Sequence, residues 1–252
     1  MGERSEGAKL IEFLHLAFLQ VLPVHVREAE YVVKGGANLR LFYNSRRRSQ
    51  DIDLDFTGSA FWRLGERVDG VLGSRAFLDL LRVRGMDLVD LSKPKQTETT
   101  RRWKFTVRRA GTRLNSKIEF SSRHVDPEFA METARADIGR ESGLRAVRAN
   151  HYLPPAAIRQ KIGALAGRKQ TEPRDVFDLD LLISQHPGAI VRGDVSSSLV
   201  KRAASAMFDI PFEAFRELVV DFLEDDFVTV YDRPETWDEM VTRVAEFLEA
   251  LL

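Results

Sequence analysis

Two glycines and two aspartates in the first quarter of the chain have the types and spacing that phosphate chemistry needs. Gly35 and Gly36 end a short apolar segment, and an Asp-x-Asp pair, Asp51 and Asp53, begins fifteen residues after Gly36. Glycines between a strand and a helix let backbone N–H groups approach a phosphate, whose charge the helix dipole favours. Aspartates at i and i+2 of a strand point to one side, so both carboxylates can converge on a divalent cation. Because Mg²⁺ keeps coordination sites for phosphate oxygens, the pattern predicts a nucleoside triphosphate bound with Mg²⁺, or with Mn²⁺ in its place.

Particular residues exclude the other common phosphate-binding and metal-binding motifs. A calcium loop starting at Asp51 needs glycine and glutamate where the chain has Phe56 and Trp62. The sequence also lacks the Gly-Lys-Ser/Thr of a Walker loop and the Gly-x-Gly-x-x-Gly of a dinucleotide fingerprint. Zero cysteine excludes disulfides, Cys-liganded zinc, iron–sulfur clusters and a thiol nucleophile. A lone Gly-Gly is usually a turn and a lone Asp-x-Asp a solvated face, but their combination around a helix is much rarer.

Apolar spacing predicts the elements that hold these residues in place. It indicates a buried helix that ends at Pro23, short strands and helices around the glycines, and an alternating strand with Ile52, Leu54 and Phe56 on its apolar side. The predicted N-terminal elements are a helix over 8–22, strand 31–33, helix 37–43, strand 51–56, a helix over 61–84 interrupted near two glycines, strand 87–91 and a hairpin of 102–109 with 113–121. After Pro127 the pattern is helical, with helices over 156–168 and 174–184 and two or three more beyond residue 198. The sequence therefore predicts an α+β domain over residues 1–125 and a helical domain over residues 126–252.

The charges cancel over the whole chain but are segregated along it. Lys+Arg and Asp+Glu both number 38. Residues 93–123 carry ten basic and two acidic residues, residues 144–174 carry seven and one, and residues 213–252 carry three and twelve. Such asymmetry suggests a face that binds a polyanion, although the charges could equally interleave in space. A polar N-terminus and the lack of an apolar run of about 18 residues predict a soluble, cytoplasmic protein.

The residues around the glycines and aspartates resemble a known family. Gly35-Gly36 followed by Asp51-x-Asp53 resembles the active-site signature of the polymerase-beta-like nucleotidyltransferase superfamily. The longer pattern is similar to the AbiEii/AbiGii-type toxin family: Lys34-Gly35-Gly36-x-x-Leu39-Arg40, then Ser49-x-Asp51-Ile52-Asp53-Leu54. A second block, Lys161, Arg168 and Arg174-Asp175-x-x-Asp178, is similar to that family's downstream motif, whose lysine and aspartate are needed for activity. Ala37-Asn38 departs from the Thr-Ala or Ser-Ala usual after the glycines, and Arg47 supplies the arginine of Arg-x-Ser-x-Asp.

The resemblance implies a nucleotidyltransferase-like mixed sheet flanked by helices, with a helical C-terminal domain that completes the active site. In-line transfer at the α-phosphate needs positioning and charge stabilisation. Asp51 and Asp53 are the expected metal ligands, while Gly35, Gly36 and Ser49 cradle phosphates. Lys34 and Arg47 or Arg48 offset the triphosphate charge.

Three further residues complete the expected site. Glu119, on a strand where it points away from Ile118, is the candidate third carboxylate and metal ligand, with Asp55 as its competitor. Lys161 would reach a phosphate, and Asp178 would orient it. Asp175 shares a helical face with Asp178 and also belongs to the predicted nucleotide-binding set, so either aspartate could be the working one.

The predicted function is therefore a Mg²⁺-dependent nucleotidyltransferase that acts as the toxin of a toxin–antitoxin or abortive-infection system. The resemblance points to a tRNA 3′ end as the acceptor and to a cognate antitoxin as a partner. One alternative keeps the reaction but uses a small molecule or a protein side chain as the acceptor. A second alternative is a non-catalytic module that binds nucleic acid or the antitoxin.

Overall fold

The chain divides into two compact units, one built on a sheet and one built of helices. The sheet unit comprises Glu6–Asn44 and Arg48–Tyr152, and the helical unit comprises Ser45–Arg47 and Leu153–Leu252 besides the first few residues of the chain. The computed structural model describes residues 2–168 and 170–252, so Lys169, one of the cations of the second basic segment, lies outside the described residues. The sequence prediction ended the first domain at residue 125, whereas the sheet unit continues to Tyr152.

The described part of the sheet unit contains a seven-stranded mixed sheet in the order β3-β4-β5-β2-β1-β7-β6. The strands are β1 Tyr31–Lys34, β2 Asp51–Phe56, β3 Asp87–Gln96, β4 Thr100–Arg109, β5 Thr112–Ser121, β6 Phe129–Thr133 and β7 Arg148–Tyr152. β2 lies at the centre, antiparallel to β1 and parallel to β5. The predicted α+β class with a mixed sheet is thereby confirmed.

Helices flank the sheet, and eleven α-helices form most of the rest of the described chain. The first five are α1 Gly2–His25, α2 Gly35–Phe42, α3 Phe61–Leu72, α4 Arg75–Val83 and α5 Ala136–Ser142. The helical unit contains α6 Pro154–Gly167, α7 Pro173–Gln185, α8 Ser197–Met207, α9 Phe212–Leu218, α10 Asp225–Tyr231 and α11 Pro234–Ala250. The predicted break between α3 and α4 is confirmed, because Gly73 ends α3 and the Ser74 hydroxyl accepts a hydrogen bond from Phe77 N to cap α4.

The core of the sheet unit lies on one face of the sheet. Leu14 and Phe18 of α1 are fully buried in the same cluster as Ile52, Leu54 and Trp103 of the strands. The apolar run of α1 is long enough to cross a membrane by length and composition, contrary to the sequence prediction that no such run exists. Because 67% of that stretch is buried in the protein, it has the pattern of a core helix. The alternation of the strands leaves the opposite face of β2 and β5 to polar side chains.

The structure differs from the predicted elements at three places. Residues 129–133 and 148–152 are strands rather than helices, because β7 pairs in parallel with the buried β1 and β6 pairs with β7. Pairing with β7 therefore makes β6 a strand, although the apolar alternation of β6 is too weak to predict one. Helix α1 continues past Pro23 to His25, losing one backbone hydrogen bond in its last turn. Four α-helices, not two or three, follow residue 196 in the described chain.

Candidate active site

Gly35 brings the start of α2 against the aspartate strand. It is the first residue of α2 and adopts φ +64°, a left-handed conformation that other residues reach only with strain. Its neighbour Lys34 is paired in register with Asp53 across β1 and β2. A Cβ atom added at Gly35 would lie 3.7 Å from Asp53 Oδ2. The glycine therefore places helix N–H groups beside a carboxylate, as the sequence predicts for a phosphate-binding turn.

Asp51 and Asp53 converge on one cation. The Nζ atom of Lys117 on β5 lies 3.2 Å from Asp51 Oδ2 and 3.8 Å from Asp53 Oδ1. Both carboxylates are partly exposed, with 30% and 37% of their side-chain surface accessible. Ser49 donates its hydroxyl to the backbone oxygen of Asp51 at 2.7 Å, which fixes the entry into β2. The two carboxylates thus share one position that a positive ion can occupy.

This pair fits a divalent metal ion together with a nucleotide. The Lys117 ammonium occupies a point within reach of both carboxylates, as a bound cation would. Among residues 2–168 and 170–252, no group of three or more His, Cys, Asp or Glu side chains is arranged to hold a metal. Mg²⁺ is usually bound through one or two carboxylates and completes its shell with water and substrate phosphates. Asp51 and Asp53 are therefore a sufficient protein contribution for such an ion.

The two candidates for the third carboxylate have different surroundings. Glu119 is paired in register with Asp53, and its Oε2 accepts from Arg102 Nε at 2.6 Å. Asp55 is buried and accepts from Lys34 Nζ at 2.6 Å and from the Tyr152 hydroxyl at 2.7 Å. Glu119 therefore borders the Asp pair through the register of β2 and β5, whereas Asp55 belongs to an interior ion pair.

That interior pair also accounts for Lys34 and for a perturbed tyrosine. The Lys34 ammonium is engaged by Asp55 rather than left open to solvent. Burial, and then the hydrogen bond to Asp55, raise the pKa of Tyr152, so its hydroxyl remains a donor at physiological pH. Arg48 is likewise interior, 4% exposed, with its Nε 3.4 Å from Glu12 Oε2 on α1. The structure thus places Lys34 and Arg48 in ion pairs of the sheet unit.

The helical unit holds the second predicted group of site residues in a buried chain of ion pairs. Lys161 Nζ lies 2.6 Å from Asp178 Oδ2 and 3.0 Å from Asp175 Oδ1. The Nη2 atom of Arg47 donates to both carboxylate oxygens of Asp178, at 2.9 Å and 3.1 Å. Arg168 Nε lies 2.8 Å from Asp175 Oδ2. Both aspartates are completely buried, and Lys161 is 8% exposed.

The electrostatics of this cluster favour the charged forms of Lys161 and Asp178. Burial alone would raise the pKa of Asp178, but Arg47 and Lys161 outweigh it, so that this pKa is lowered. Burial alone would lower the pKa of Lys161, but Asp178 and Asp175 outweigh it, so that this pKa is raised. The structure therefore brings Lys161, Asp175 and Asp178 of the second motif block together and connects both aspartates to the lysine. Arg47, which the sequence analysis expected to offset triphosphate charge, is bound to Asp178 in the same cluster.

Sequence reasoning missed residues that these contacts make prominent. Lys117 lies two residues before Glu119 on β5 and so on the same strand face. That spacing was the signal from which the contact of Lys117 with the Asp pair could have been predicted. The pairing of Arg102 with Glu119 depends on the register of β4 and β5, which no local pattern discloses. The Tyr152 contact to Asp55 joins residues 97 positions apart. Of these features, only the shared strand face of Lys117 and Glu119 could have been predicted from the local pattern.

A mixed sheet that sets a glycine turn beside an Asp-x-Asp strand defines the class of nucleotide-transferring enzymes. A family model described as "Nucleotidyl transferase AbiEii toxin, Type IV TA system" matches residues 17–250. The chain therefore belongs to the AbiEii family of nucleotidyltransferase toxins, which implies a nucleoside triphosphate as substrate and an antitoxin as partner. The resemblance inferred from the motifs is confirmed.

Solved structures share the fold. JHP933 from Helicobacter pylori has a TM-score of 0.58 and 21% sequence identity, over 97% of this chain and 94% of that one. The protein named "putative nucleotidyltransferase from H. pylori" has a TM-score of 0.58 and 20% identity, over 96% of both chains. At these identities the likeness shows the fold alone. A comparison with curated proteins gives no significant match.

Proposed function

We propose that this protein transfers a nucleotide from a nucleoside triphosphate to an acceptor hydroxyl in a reaction that depends on Mg²⁺, or on Mn²⁺ in its place. The observation that carries the proposal is the shared cation position of Asp51 and Asp53 beside the Gly35 turn. Two carboxylates within 3.8 Å of one cation, next to the N–H groups of a helix start, suit a metal-bound triphosphate.

The residues of the sheet unit divide the task between them. Asp51 and Asp53 would hold the metal ion, which neutralises triphosphate charge as pyrophosphate leaves the α-phosphate. Gly35 and Gly36 offer backbone N–H groups to the phosphates. Glu119, the partly exposed neighbour of Asp53 in register, is the candidate to accept the proton of the acceptor hydroxyl.

In the helical unit, Lys161 is the proposed phosphate-binding cation and Asp178 the residue that positions it. Asp178 contacts both Lys161 and Arg47, whereas Asp175 contacts Lys161 and the more exposed Arg168. Asp178 is therefore our choice for the working aspartate. That the helical part is needed for transfer is part of the same proposal.

The acceptor proposed is RNA, with a tRNA 3′ end suggested by the family resemblance. We further propose that transfer occurs in the cytoplasm and halts growth, as in abortive infection. The direct test incubates the chain with each α-labelled nucleoside triphosphate, Mg²⁺ and total cellular RNA, followed by separation of RNA, protein and small molecules. Label on RNA supports the proposal, while label on protein or on a small molecule assigns a different acceptor.

Two variants decide whether the Asp pair is the reaction centre. Asp51→Asn and Asp53→Asn should abolish transfer and toxicity, because each removes a charge from the shared cation position. Asp79→Asn, on the exposed surface of α4, is the matched control and should transfer normally. Transfer or toxicity that persists in both Asp-pair variants would show that the reaction centre lies elsewhere. Toxicity without any transfer would favour a non-catalytic binding module.

A further inference from the structure

A row of cations lies on the polar face of the hairpin formed by β4 and β5. Register pairs Lys104 with Lys117 and Arg108 with Arg113, so like charges stand directly opposite each other twice. We call these four residues the cationic strip. Between the two pairs lies Thr106, whose hydroxyl donates to Asn115 Oδ1 at 2.7 Å.

The cationic strip contributes nothing evident to the stability of the fold. Like charges directly opposite in an antiparallel pair are destabilising. Lys104, Arg108 and Arg113 are exposed, and within the described chain their side chains have no hydrogen-bond or ion-pair partner, although Asp87 is the register partner of Arg108. By contrast Arg109, on the other face of β4, is paired with Glu6 at 2.7 Å. Three of the four cations of the strip are therefore open to an external anion, while the fourth, Lys117, is held by Asp51 and Asp53.

The cationic strip begins at the candidate active site. A groove of about 660 Å³ is lined by Asp51, Lys117, Lys104, Thr106 and Asn115, among others. Arg108 and Arg113 continue the row beyond it, four residues along the strands, which is about 13 Å at the rise of a β-strand. Asp90 of β3, the register partner of Thr106, also lines this groove between the two cation pairs. The separation of the two pairs matches a chain of phosphates better than a single anion.

We propose that the cationic strip binds the sugar–phosphate backbone of a single-stranded nucleic-acid acceptor and leads its end to Asp51. This inference rests on the proposed transfer function, whose acceptor surface it names. Release of the counterions that surround the phosphates supplies most of the affinity for such a ligand. An acidic polypeptide is the competing occupant, and the test separates the two.

Lys117 links the cationic strip to the state of the Asp pair. Its ammonium is held by Asp51 and Asp53, the carboxylates that would bind the metal ion. If Asp51 and Asp53 held a divalent ion, they would no longer hold the Lys117 ammonium, which could then face the groove beside Lys104. The strip would therefore gain a cation when metal and nucleotide are bound, so that acceptor binding would follow nucleotide binding.

The experiment measures binding of a fluorescent single-stranded RNA oligonucleotide of mixed sequence to the full chain, by anisotropy over a range of salt concentrations. The double variant Arg108→Gln/Arg113→Gln should weaken binding about tenfold at physiological salt. It should also reduce the salt slope by about 1.4, since each phosphate that is no longer neutralised lowers the slope by roughly 0.7. Arg109→Gln, which removes one positive charge from the opposite face of β4, is the control and should bind as the parent does.

A second arm tests the link through Lys117. Mg²⁺ with a non-hydrolysable nucleoside triphosphate should tighten RNA binding by the parent chain and leave binding by Lys117→Gln unchanged. The proposal is overturned if the double variant and Arg109→Gln bind RNA equally, or if a polyglutamate peptide competes as well as RNA. It is also overturned if nucleotide does not tighten binding. Asp53→Asn keeps the cationic strip, so RNA binding by this variant without transfer separates failure of the strip from failure of the transfer proposal.

Discussion

Replacing Asp178 by asparagine should destabilise the helical unit far more than replacing Lys161 by methionine. The buried Asp178 carboxylate accepts from Arg47 at 2.9 Å and 3.1 Å and from Lys161 at 2.6 Å. With asparagine at this position, Arg47 and Lys161 lose the carboxylate that they share, and Asp175 is the remaining buried carboxylate of this cluster. Removing one partner of a buried ion pair costs about 3–5 kcal/mol, because the other charge is left uncompensated. We expect Asp178→Asn to lose stability in that range.

Lys161→Met removes an ammonium but leaves each buried carboxylate with a cation. Asp178 keeps its bonds to Arg47, and Asp175 keeps Arg168 Nε at 2.8 Å. Methionine fills a similar volume and carries no charge to desolvate. Because no group is left uncompensated, the expected loss of stability is below about 2 kcal/mol. Both variants should nevertheless lose nucleotide transfer.

Urea unfolding followed by far-ultraviolet circular dichroism measures the difference at pH 7. The matched control is Asp180→Asn on the same helix, whose partner Arg243 is exposed, so its cost should stay within about 1 kcal/mol. We reason that Asp178 is the carboxylate shared by Arg47 and Lys161. If Lys161→Met unfolds at the same urea concentration as Asp178→Asn, or below it, that reasoning is refuted.

The same comparison has a defined pH dependence. The pKa of Asp178 is lowered in the folded chain, because Arg47 and Lys161 outweigh the effect of its burial. Its contribution to stability is therefore complete above the unfolded pKa of about 3.9 and is lost as pH falls through the lower folded value. The stability difference between the parent chain and Asp178→Asn should accordingly shrink in acid.

Three further outcomes follow from the sheet unit. Gly35→Ala should cost about 1–2 kcal/mol in thermal unfolding, because alanine is strained at φ +64°; an unchanged melting temperature would contradict this. Burial lowers the pKa of His15 to about 3, so the parent chain should lose stability as pH falls from about 6.5 towards 3. His15→Gln, whose amide can replace the ring contact to Ser116, should remove that part of the pH dependence in urea titrations; identical slopes would refute it. The buried α1 should leave the purified chain unbound to lipid vesicles in flotation, and co-flotation would show that this helix becomes exposed.

The glycine turn and the Asp pair of the candidate active site were the features most predictable from sequence, because their geometry is local. Two aspartates at i and i+2 share a strand face in any sheet, and a glycine between a strand and a helix is free to adopt positive φ. The structure places Asp51, Asp53 and Gly35 accordingly. The helix predicted over 156–168 is also present, beginning two residues earlier at Pro154, since proline suits the first turn.

The partners of these residues could not be predicted, because they depend on register and on long-range packing. Lys34, expected to offset triphosphate charge, is instead bound to Asp55, and Arg48 to Glu12. Strands β6 and β7 were missed for the same reason, since β7 becomes a strand by pairing with β1, more than a hundred residues earlier. Local pattern identifies which residues can do chemistry, whereas tertiary contacts decide which of them are already engaged.

The two basic segments of the sequence show why local charge does not by itself identify a polyanion surface. In residues 144–174, the cations Lys161, Arg168 and Arg174 are bound to Asp175, Asp178 and Glu172, so these three of the seven cations are paired with neighbouring carboxylates. In residues 93–123, alternation along β4 and β5 sets Lys104, Arg108 and Arg113 on one exposed face, without such partners among the described residues. Helical spacing brings the cations of the first group beside carboxylates, whereas strand register sets the cations of the second group opposite each other. If the proposed cationic strip binds the acceptor, a nucleic acid should contact these unpaired cations of the hairpin rather than the paired cations of α6 and α7.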